Sequence, residues 1–280
     1  MRFVSFEKDG RPGWGALVDS EILDLSRQAP SLRAAMAAGS LPRDPGGLPT
    51  EPRPSKLDEV SLLTPLPDAT RFFCIGLNYV AHRDEAGRRP TTQPVIFVRF
   101  ASSLAPHRQP LPVPPESGTY DFEGELAVVI GRPGRRIRED DALKHVAGYA
   151  CFMDGSIREF QMHTSQYTPG KNFDRSGAFG PCLVTADEVG DPNAGLRLRT
   201  RLNGEVMQDA TTDLMLFPVR TLITYLSTFT RLEPGDVIAT GTPGGVGFAR
   251  NPPLYMKPGD TIEVEIERVG LLSNPVIAET

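Results

Sequence analysis

The chain has 280 residues, of which 39% are hydrophobic, so it is long enough to bury a full core. Its length predicts one large domain, alone or with a small companion. A formal net charge of −5 and a pI near 5.5 argue against a nucleic-acid partner, which would need a basic surface. The sequence shows neither a secretory signal nor a membrane-length apolar run, so we expect a soluble, cytoplasmic protein with no membrane partner.

Residues 1–61 predict a small β-rich domain and a linker, followed by a larger domain over residues 62–280. The expected elements are strands at residues 2–6, 13–18 and 21–25 and a helix that Ser31 caps and that ends at Gly39. Residues 41–56 are rich in proline, glycine and charge, which is typical of a linker.

The three cysteines, Cys74, Cys151 and Cys182, each lie in an apolar run. Their odd number and wide spacing argue against a disulfide framework or a metal cluster. We expect them to be small buried residues with free thiols.

Two glutamates lead directly into an uninterrupted apolar run. Leu126–Ile130 ends at Gly131, which predicts a strand buried on both faces. Side chains alternate along a strand, so Glu123 and Glu125 point to the same side. Two buried carboxylates repel, and they take up protons unless a cation or several hydrogen-bond donors lie between them. The pattern therefore predicts a cation site.

Asp154 is the expected third ligand, because it ends a second apolar run at Met153. Carboxylate oxygens without clustered histidine or cysteine favour Mg²⁺ or Mn²⁺, with Ca²⁺ a third candidate. The same spacing also occurs at Glu263 and Glu265, where alternating apolar residues predict an ordinary solvated strand face. The spacing alone leaves both interpretations open.

A histidine and a glutamate three residues apart follow the predicted strand Phe72–Ile75. On a helix, His82 and Glu85 share a face, so the glutamate could hold one ring nitrogen and leave the other free to take a proton. That arrangement predicts a general base. It also suits an ordinary surface pair, and the two residues alone do not decide between these interpretations.

Further hydrogen-bond donors follow Asp154. Arg158 and Gln161 fall on one face of a predicted helical turn, and Lys171 follows a Pro-Gly pair that could present it to an anion. A phosphate loop is excluded there, because Ser165 stands where the first glycine is required and Asn172 replaces the hydroxyl residue. Residues 166–179 are expected to be irregular.

The last third of the chain predicts a hairpin, a helix and a glycine-rich turn. The elements are a strand at 196–202 with an Asn203-Gly204 turn, a helix after Pro218, a strand at 237–239 and a closing strand at 261–267. The glycine-rich turn at 240–247 could offer backbone N–H groups to an oxyanion. It lacks the spacing of a dinucleotide site, so no NAD is expected.

Seven motifs in order give residues 62–275 a resemblance to the fumarylacetoacetate hydrolase family, of the type that includes acylpyruvate hydrolases and 2-hydroxyhepta-2,4-diene-1,7-dioate isomerases. The motifs are Gly76-Leu-Asn-Tyr-x-x-His82, Asp121-Phe-Glu-Gly-Glu-Leu-Ala-Val-Val-Ile-Gly131, Gly148-Tyr through Asp154-x-Ser156-x-Arg158, Gly170-Lys171-x-Phe173-Asp174, Leu202-Asn-Gly204-Glu, Leu232-Glu-Pro-Gly-Asp-Val-Ile and Thr240-Gly-Thr-Pro243. The resemblance implies an α+β, mostly β fold, a mixed β-sandwich roll with a small N-terminal domain, and a homodimer.

The resemblance also implies a metal-dependent enzyme that acts on ketonic substances. It assigns a divalent ion, usually Mg²⁺ or Mn²⁺, to Glu123, Glu125 and Asp154, where the ion chelates the carboxylate and 2-oxo oxygen of a 2-oxo acid. The implied catalytic residues are His82, Glu85, Lys171, Arg158 and Gln161, and the implied substrate-binding residues are Arg99, Tyr167, Thr242 and Gly241. The His82 segment is implied to be a lid.

Three residues depart from the family pattern. Met153, Tyr167 and Arg99 stand where relatives commonly have asparagine, tryptophan and lysine. We expect these positions to line or flank the substrate pocket, so they leave the substrate undecided.

The reaction implied first is hydrolysis of a C–C bond in a 2,4-dioxo acid, either an acylpyruvate or a diketo-deoxy sugar acid, with release of pyruvate or a related 2-oxo acid. His82 would activate water, donors would stabilise the oxyanion, and the metal would stabilise the departing enolate. The same scaffold hosts oxaloacetate decarboxylases and the isomerases or hydratases of aromatic catabolism. A catalytically silent, metal-stabilised dimeric binding module is the alternative from another class, and the presence of His82 with Glu85 argues against it.

Overall fold

The structure is a computed structural model that describes residues 1–42, 44–48 and 55–279. Residues 43 and 49–54 of the predicted linker therefore lie outside the described residues. Within the described ranges, no helix is both long and apolar enough to cross a membrane.

The described residues form many short strands and a few short helices. The strands are β1 (Arg2–Lys8), β2 (Arg11–Val18), β3 (Glu21–Asp24), β4 (Ser55–Lys56), β5 (Ser61–Leu62), β6 (Phe72–Gly76), β7 (Val95–Arg99), β8 (Leu104–Ala105), β9 (Leu111–Val113), β10 (Tyr120–Asp121), β11 (Gly124–Ile130), β12 (Val146–Met153), β13 (Ser156–Ile157), β14 (Gly177–Thr185), β15 (Arg197–Leu202), β16 (Glu205–Thr211), β17 (Val237–Ala239), β18 (Thr261–Ile266) and β19 (Gly270–Ala278). The helices are α1 (Leu32–Ala37), α2 (Val80–Glu85), α3 (Arg158–Gln161), α4 (Thr168–Lys171), α5 (Ala186–Val189) and α6 (Val219–Phe229), and short 3₁₀ helices occupy Pro45–Gly47, Leu57–Glu59, Ala101–Ser103, Glu139–His145 and Thr212–Leu214.

The larger sheet is mixed and has twelve strands. Its order is β4-β3-β2-β1-β14-β12-β11-β17-β6-β7, with β5 paired to β1 and β8 paired to β14. The N-terminal strands belong to this same sheet, because β1 pairs antiparallel with β14. Strand β5 spans the predicted domain boundary between residues 61 and 62 and pairs back onto β1.

A smaller sheet with the order β16-β15-β18-β19-β9 packs against β11, β12 and β14 of the larger sheet. Apolar side chains from both sheets, such as Leu198, Val264 and Val128, form one buried cluster between them. The opposite face of the larger sheet packs against α1 in a second cluster that includes Val129. The fold prediction is therefore confirmed: the chain is a mostly β, mixed sandwich.

Strand β11 is buried along its whole length, as its uninterrupted apolar sequence predicts. Leu126 and Val128 belong to the cluster between the sheets, and Ala127 and Val129 belong to the cluster on the other side. Strand β18 instead alternates between buried and half-buried residues, so Glu263 and Glu265 lie on its open face. The same Glu-x-Glu spacing thus occurs in two different environments.

Local signals at caps and turns are also confirmed. The Ser31 hydroxyl accepts a hydrogen bond from the Ala34 N–H at 3.1 Å and begins α1. Asn203 and Gly204 both have positive φ in the two-residue turn that joins β15 to β16.

The prediction that residues 166–179 are irregular is wrong. They contain α4 and the first residues of β14, where Ala178 pairs with Met153 of β12. A four-residue helix is too short to show helical periodicity, and Gly177 and Gly180 obscure the strand pattern. Pairing with β12 fixes this strand, and a single-strand pattern does not contain that information.

Gly124 is required where the two sheets approach each other. It opens β11, and a Cβ atom at this position would overlap Thr200 Oγ1 on β15, with Val264 Cγ1 at 3.3 Å. Both neighbours are fully buried. Glycine is therefore needed here for close packing, between the two glutamates of the predicted metal site.

We predict that Gly124→Ala lowers the free energy of unfolding by about 1–3 kcal/mol, because the added methyl overpacks a dense interface. Thr200→Ala removes the overlapping hydroxyl, which has no hydrogen-bond partner among the described residues. The double variant should recover most of the loss in chemical denaturation. Additive losses from the two substitutions would contradict the contact.

Candidate metal centre

Antiparallel pairing of β11 with β12 brings the acidic residues together. Gly124 pairs with Met153, so the start of β11 lies beside the end of β12. The residues just outside this pair are Glu123 and Asp154, and the Asp154 N–H donates to the Glu123 carbonyl at 2.8 Å. Two residues that are 31 positions apart in sequence therefore face each other across one strand pair.

Glu123, Glu125 and Asp154 are buried, and each offers a carboxylate oxygen within 4.8 Å of the others. Such a group is held together only if positive charge or hydrogen-bond donors compensate the repulsion. Its surroundings therefore decide whether it has room for a metal ion.

Three cations compensate two of the three carboxylates. Lys171 Nζ donates to Glu123 Oε2 at 2.8 Å and to Asp154 Oδ2 at 2.7 Å. Arg99 donates to Asp154 Oδ1 at 2.6 Å, and Arg158 lies 2.7 Å from Glu123 Oε1. Burial alone would raise the pKa of Glu123, but Lys171 and Arg158 outweigh it and hold that pKa below its ordinary value.

Glu125 differs from its two neighbours because no cation pairs with it in the described part of the chain. Its Oε2 accepts one hydrogen bond, from the Gly241 N–H at 2.9 Å. Burial, together with the charges of Asp154 and Glu123, raises the pKa of Glu125 well above its ordinary value. Glu125 thus has no adjacent cation among the described residues to compensate its charge, and a proton or a metal ion can neutralise it. A hard divalent cation fits this all-carboxylate donor set.

A second buried ion pair lies beside the first. Asp121 accepts hydrogen bonds from the N–H groups of Gly247 and Phe248 and from Arg158 Nε at 2.8 Å. Arg158 also lies over the Phe248 ring, 4.5 Å from its centroid, and donates to Gln161 Oε1 at 2.8 Å. Its Nη2 is buried and has no partner among the described residues, so it is a donor available to a ligand.

His82 and Glu85 form a hydrogen-bonded pair on α2. His82 Nδ1 lies 2.9 Å from Glu85 Oε1, and Glu85 Oε2 accepts the Gly245 N–H at 2.8 Å. His82 is only 5% exposed, which rules out a freely solvated surface pair. With Nδ1 bonded to a carboxylate, Nε2 is the nitrogen left to exchange a proton.

These groups meet at one cleft that is open to solvent. Charged and polar residues of the lining are His82, Arg88, Glu123, Glu125, Arg158, Gln161, Tyr167, Lys171 and Thr242. Apolar residues of the lining include Ile75, Leu77, Phe97, Met162 and Phe248. The structure therefore brings most of the expected site residues to one cavity.

Four expected site residues lie behind this lining. Asp154 and Arg99 are paired to each other beneath it, and the Gly241 N–H is committed to Glu125. Glu85 supports His82 from the turn that contains Gly245. The Thr242 hydroxyl lines the cavity, but it donates to the Gly124 carbonyl and accepts from Gln208.

The three departures from the family pattern have different surroundings. Tyr167 lines the cleft and packs edge-on against Phe97, with ring centroids 5.7 Å apart. Met153 is buried in the core between the sheets, and Arg99 is the buried partner of Asp154. Tyr167 is thus the departure that faces the cleft.

Two residues that support the site, Asp121 and Gln208, were not predicted from the sequence to do so. Asp121 begins the acidic motif, and its position two residues before Glu123 was the available signal. Gln208 accepts from the Gly124 N–H at 2.9 Å and donates to Thr242 Oγ1 and to the Pro243 carbonyl. Nothing in the alternation of β16 indicates that one of its polar residues bridges to the opposite sheet.

The family described as fumarylacetoacetate (FAA) hydrolase, C-terminal, matches residues 71–277. The chain belongs to the fumarylacetoacetate hydrolase family. Strands β1 to β5 precede the matched region, and β6 to β19 fall within it or extend one residue beyond it.

Two of the similar proteins match almost the whole chain of this fumarylacetoacetate hydrolase family member, and a third matches three quarters of it. A mitochondrial oxaloacetate tautomerase of Xenopus laevis is 38% identical over 289 residues, covering 99% of this chain and 90% of its own. A fumarylacetoacetate hydrolase structure from Exiguobacterium antarcticum is 37% identical with a TM-score of 0.86 over both full chains. Fumarylpyruvate hydrolase from Pseudomonas aeruginosa, solved in complex with Mn²⁺ and pyruvate, is 34% identical with a TM-score of 0.69, covering 75% of this chain and 91% of its own.

We predict that Glu125→Gln lowers Mn²⁺ affinity at least about 100-fold in calorimetric titration without destabilising the metal-free protein. Because its folded pKa is raised, ionised Glu125 costs stability as the pH rises through that value, and a neutral amide avoids the cost. Asp154→Asn instead leaves Arg99 and Lys171 with an uncompensated buried charge, so it should lose about 3–5 kcal/mol of stability.

Glu263→Gln is the matched control, because Glu263 has the same spacing on the open face of β18. It should change neither metal affinity nor stability. Wild-type metal affinity in Glu125→Gln would contradict the assignment of this carboxylate as a ligand.

Proposed function

We propose that the protein is a metal-dependent enzyme that interconverts the keto and enol forms of a 2-oxo acid, with oxaloacetate the first candidate substrate. One observation carries the proposal: Glu123 and Glu125 of a buried carboxylate triad line the same cleft as a histidine that is bonded to a glutamate. The Xenopus laevis relative, named as an oxaloacetate tautomerase, supports the choice of reaction. Mg²⁺ or Mn²⁺ is the proposed ion, because all three ligands are hard oxygen donors.

His82 is the proposed general base and acid. With Nδ1 bonded to Glu85, its Nε2 takes a proton from C3 of the keto form, and the protonated ring returns a proton to C3 in the reverse direction. Glu85 holds the ring in place through its hydrogen bond to Nδ1. Tautomerisation is complete when the 2-oxo oxygen gains or loses its own proton.

Negative charge develops on the 2-oxo oxygen during this transfer. A divalent cation held by Glu123, Glu125 and Asp154 would supply Lewis acidity that lowers the cost of this charge. Arg158, whose Nη2 has no partner among the described residues, and Lys171 both line the same cleft, and their assigned role is to orient the carboxylate and the oxyanion.

Hydrolysis of a C–C bond in a 2,4-dioxo acid is the second candidate. It uses the same residues, with His82 taking its proton from water rather than from carbon. The fumarylpyruvate hydrolase solved with Mn²⁺ and pyruvate supports it. Decarboxylation of oxaloacetate and a silent binding module are the other outcomes that the assay must separate, and the implied homodimer stays a prediction.

We predict that, with Mg²⁺, the protein accelerates loss of the oxaloacetate enol absorbance without releasing pyruvate. His82→Ala should lower this rate about 10²- to 10⁴-fold, because it removes the proton-transfer group, while Mn²⁺ affinity stays unchanged. Full turnover in this variant would contradict the assigned base.

Product analysis separates the candidate reactions. Pyruvate formed from oxaloacetate would indicate a decarboxylase, and pyruvate formed from an acylpyruvate would indicate the hydrolase. Metal binding without turnover of either substrate would support the silent module.

A further inference from the structure

The cleft contains one cation that the catalytic scheme does not use. Among the charged residues of its lining, Lys171 and Arg158 are each bonded to buried carboxylates. Arg88 also lines the cleft, but it is exposed at the mouth. Over the described ranges, no carboxylate lies within salt-bridge distance of its guanidinium.

The backbone fixes the position of Arg88. Helix α2 ends in a left-handed turn at Gly87, whose φ is +63°. The Gly87 N–H donates to the Asp84 carbonyl at 3.0 Å, and the Arg88 N–H donates to the Arg83 carbonyl at 3.0 Å. This turn ends the His82 helix, and Arg88 follows it at the cleft, whereas the adjacent Arg89 is exposed and does not line it.

The buried carboxylates at the base of the cleft, here called the floor, can be neutralised without Arg88. Asp121, Glu123, Glu125 and Asp154 outnumber their three buried partners by one charge. A divalent ion turns this excess of one negative charge into an excess of one positive charge, which a single carboxylate neutralises. A 2-oxo acid with one carboxylate is therefore balanced by the floor alone, and the guanidinium at the mouth remains available for a second anionic group.

The other residues of the lining constrain the rest of the ligand. Apolar residues of the lining include Leu77, Met162 and Phe248, and Tyr167 also lines the cleft. A ligand that satisfies both ends is anionic at two positions and carries no further charge between them.

We propose that Arg88 binds the distal carboxylate of a dicarboxylic 2-oxo acid and selects such acids over their monocarboxylic counterparts. The inference rests on the proposed function, since it assumes that the 2-oxo acid end lies at the floor. Arg88 touches no reacting atom in this scheme, so it determines specificity and contributes to binding.

The test compares oxaloacetate with its 4-methyl ester, which keeps the carbon skeleton and lacks the distal charge. We expect Arg88→Ala to raise KM for oxaloacetate about tenfold, the value of one charge-assisted hydrogen bond, with kcat within about twofold of wild type. KM for the ester should not change. Arg88→Lys should retain most of the preference, because it keeps the charge.

Arg89→Ala is the matched control, because it removes the neighbouring positive charge outside the cleft. Equal effects of Arg88→Ala and Arg89→Ala, or equal effects on both substrates, would overturn the proposal in favour of a general field or a structural role.

Calorimetry with malate and lactate in the presence of Mg²⁺ tests the inference separately from catalysis. These 2-hydroxy acids differ in the distal carboxylate and lack the carbonyl needed for enolisation. We expect wild type to bind malate about tenfold more tightly than lactate and Arg88→Ala to lose that preference. If no substrate turns over but this preference appears, the proposed reaction fails and the role of Arg88 stands. If wild type binds malate and lactate equally tightly, the proposed role of Arg88 is contradicted.

Discussion

The site depends on a buried group of four carboxylates, Asp121, Glu123, Glu125 and Asp154, which has only three cationic partners among the residues that the structure describes. Glu123 and Asp154 are paired with Lys171, Arg99 and Arg158, whereas Glu125 receives only a backbone N–H. An isolated charge in a low-dielectric core is expensive, so the group must take up a proton or a cation. The fold therefore places a carboxylate that requires a proton or a cation at the floor of the cleft.

The buried cations also determine how the carboxylates are oriented. Each oxygen of Glu123 and Asp154 already has a hydrogen-bond donor on one side, so neither side chain is free to turn away from its neighbours. Arg99 is itself held in place, because it also donates to the hydroxyls of Ser103 and Ser176. A preorganised set of ligands reduces the reorganisation needed when an ion binds.

Local and periodic features of the chain were predictable from the sequence. The apolar run of β11, the Ser31 cap and the Asn203-Gly204 turn each depend on neighbouring residues alone. The resemblance to a family supplied the sandwich fold, which periodicity does not reveal. Features that depend on distant pairing were not predictable: the start of β14 at Gly177, the place of β1 in the larger sheet, and the bridge from Gln208 to Gly124. Arg99 was expected at the substrate, but its partner is 55 residues away, and no sequence spacing reports such a contact.

Glu85 uses its two oxygens for different parts of the molecule. One oxygen orients the imidazole, and the other accepts the N–H of Gly245, which has a φ of +105° and lies where a side chain would overlap the Met207 carbonyl. The angle of the His82 ring is thereby tied to a glycine 163 positions later in the chain. A variant at Gly245 would misalign the imidazole without touching it, so loss of proton transfer can arise from a turn that contains no ionisable group.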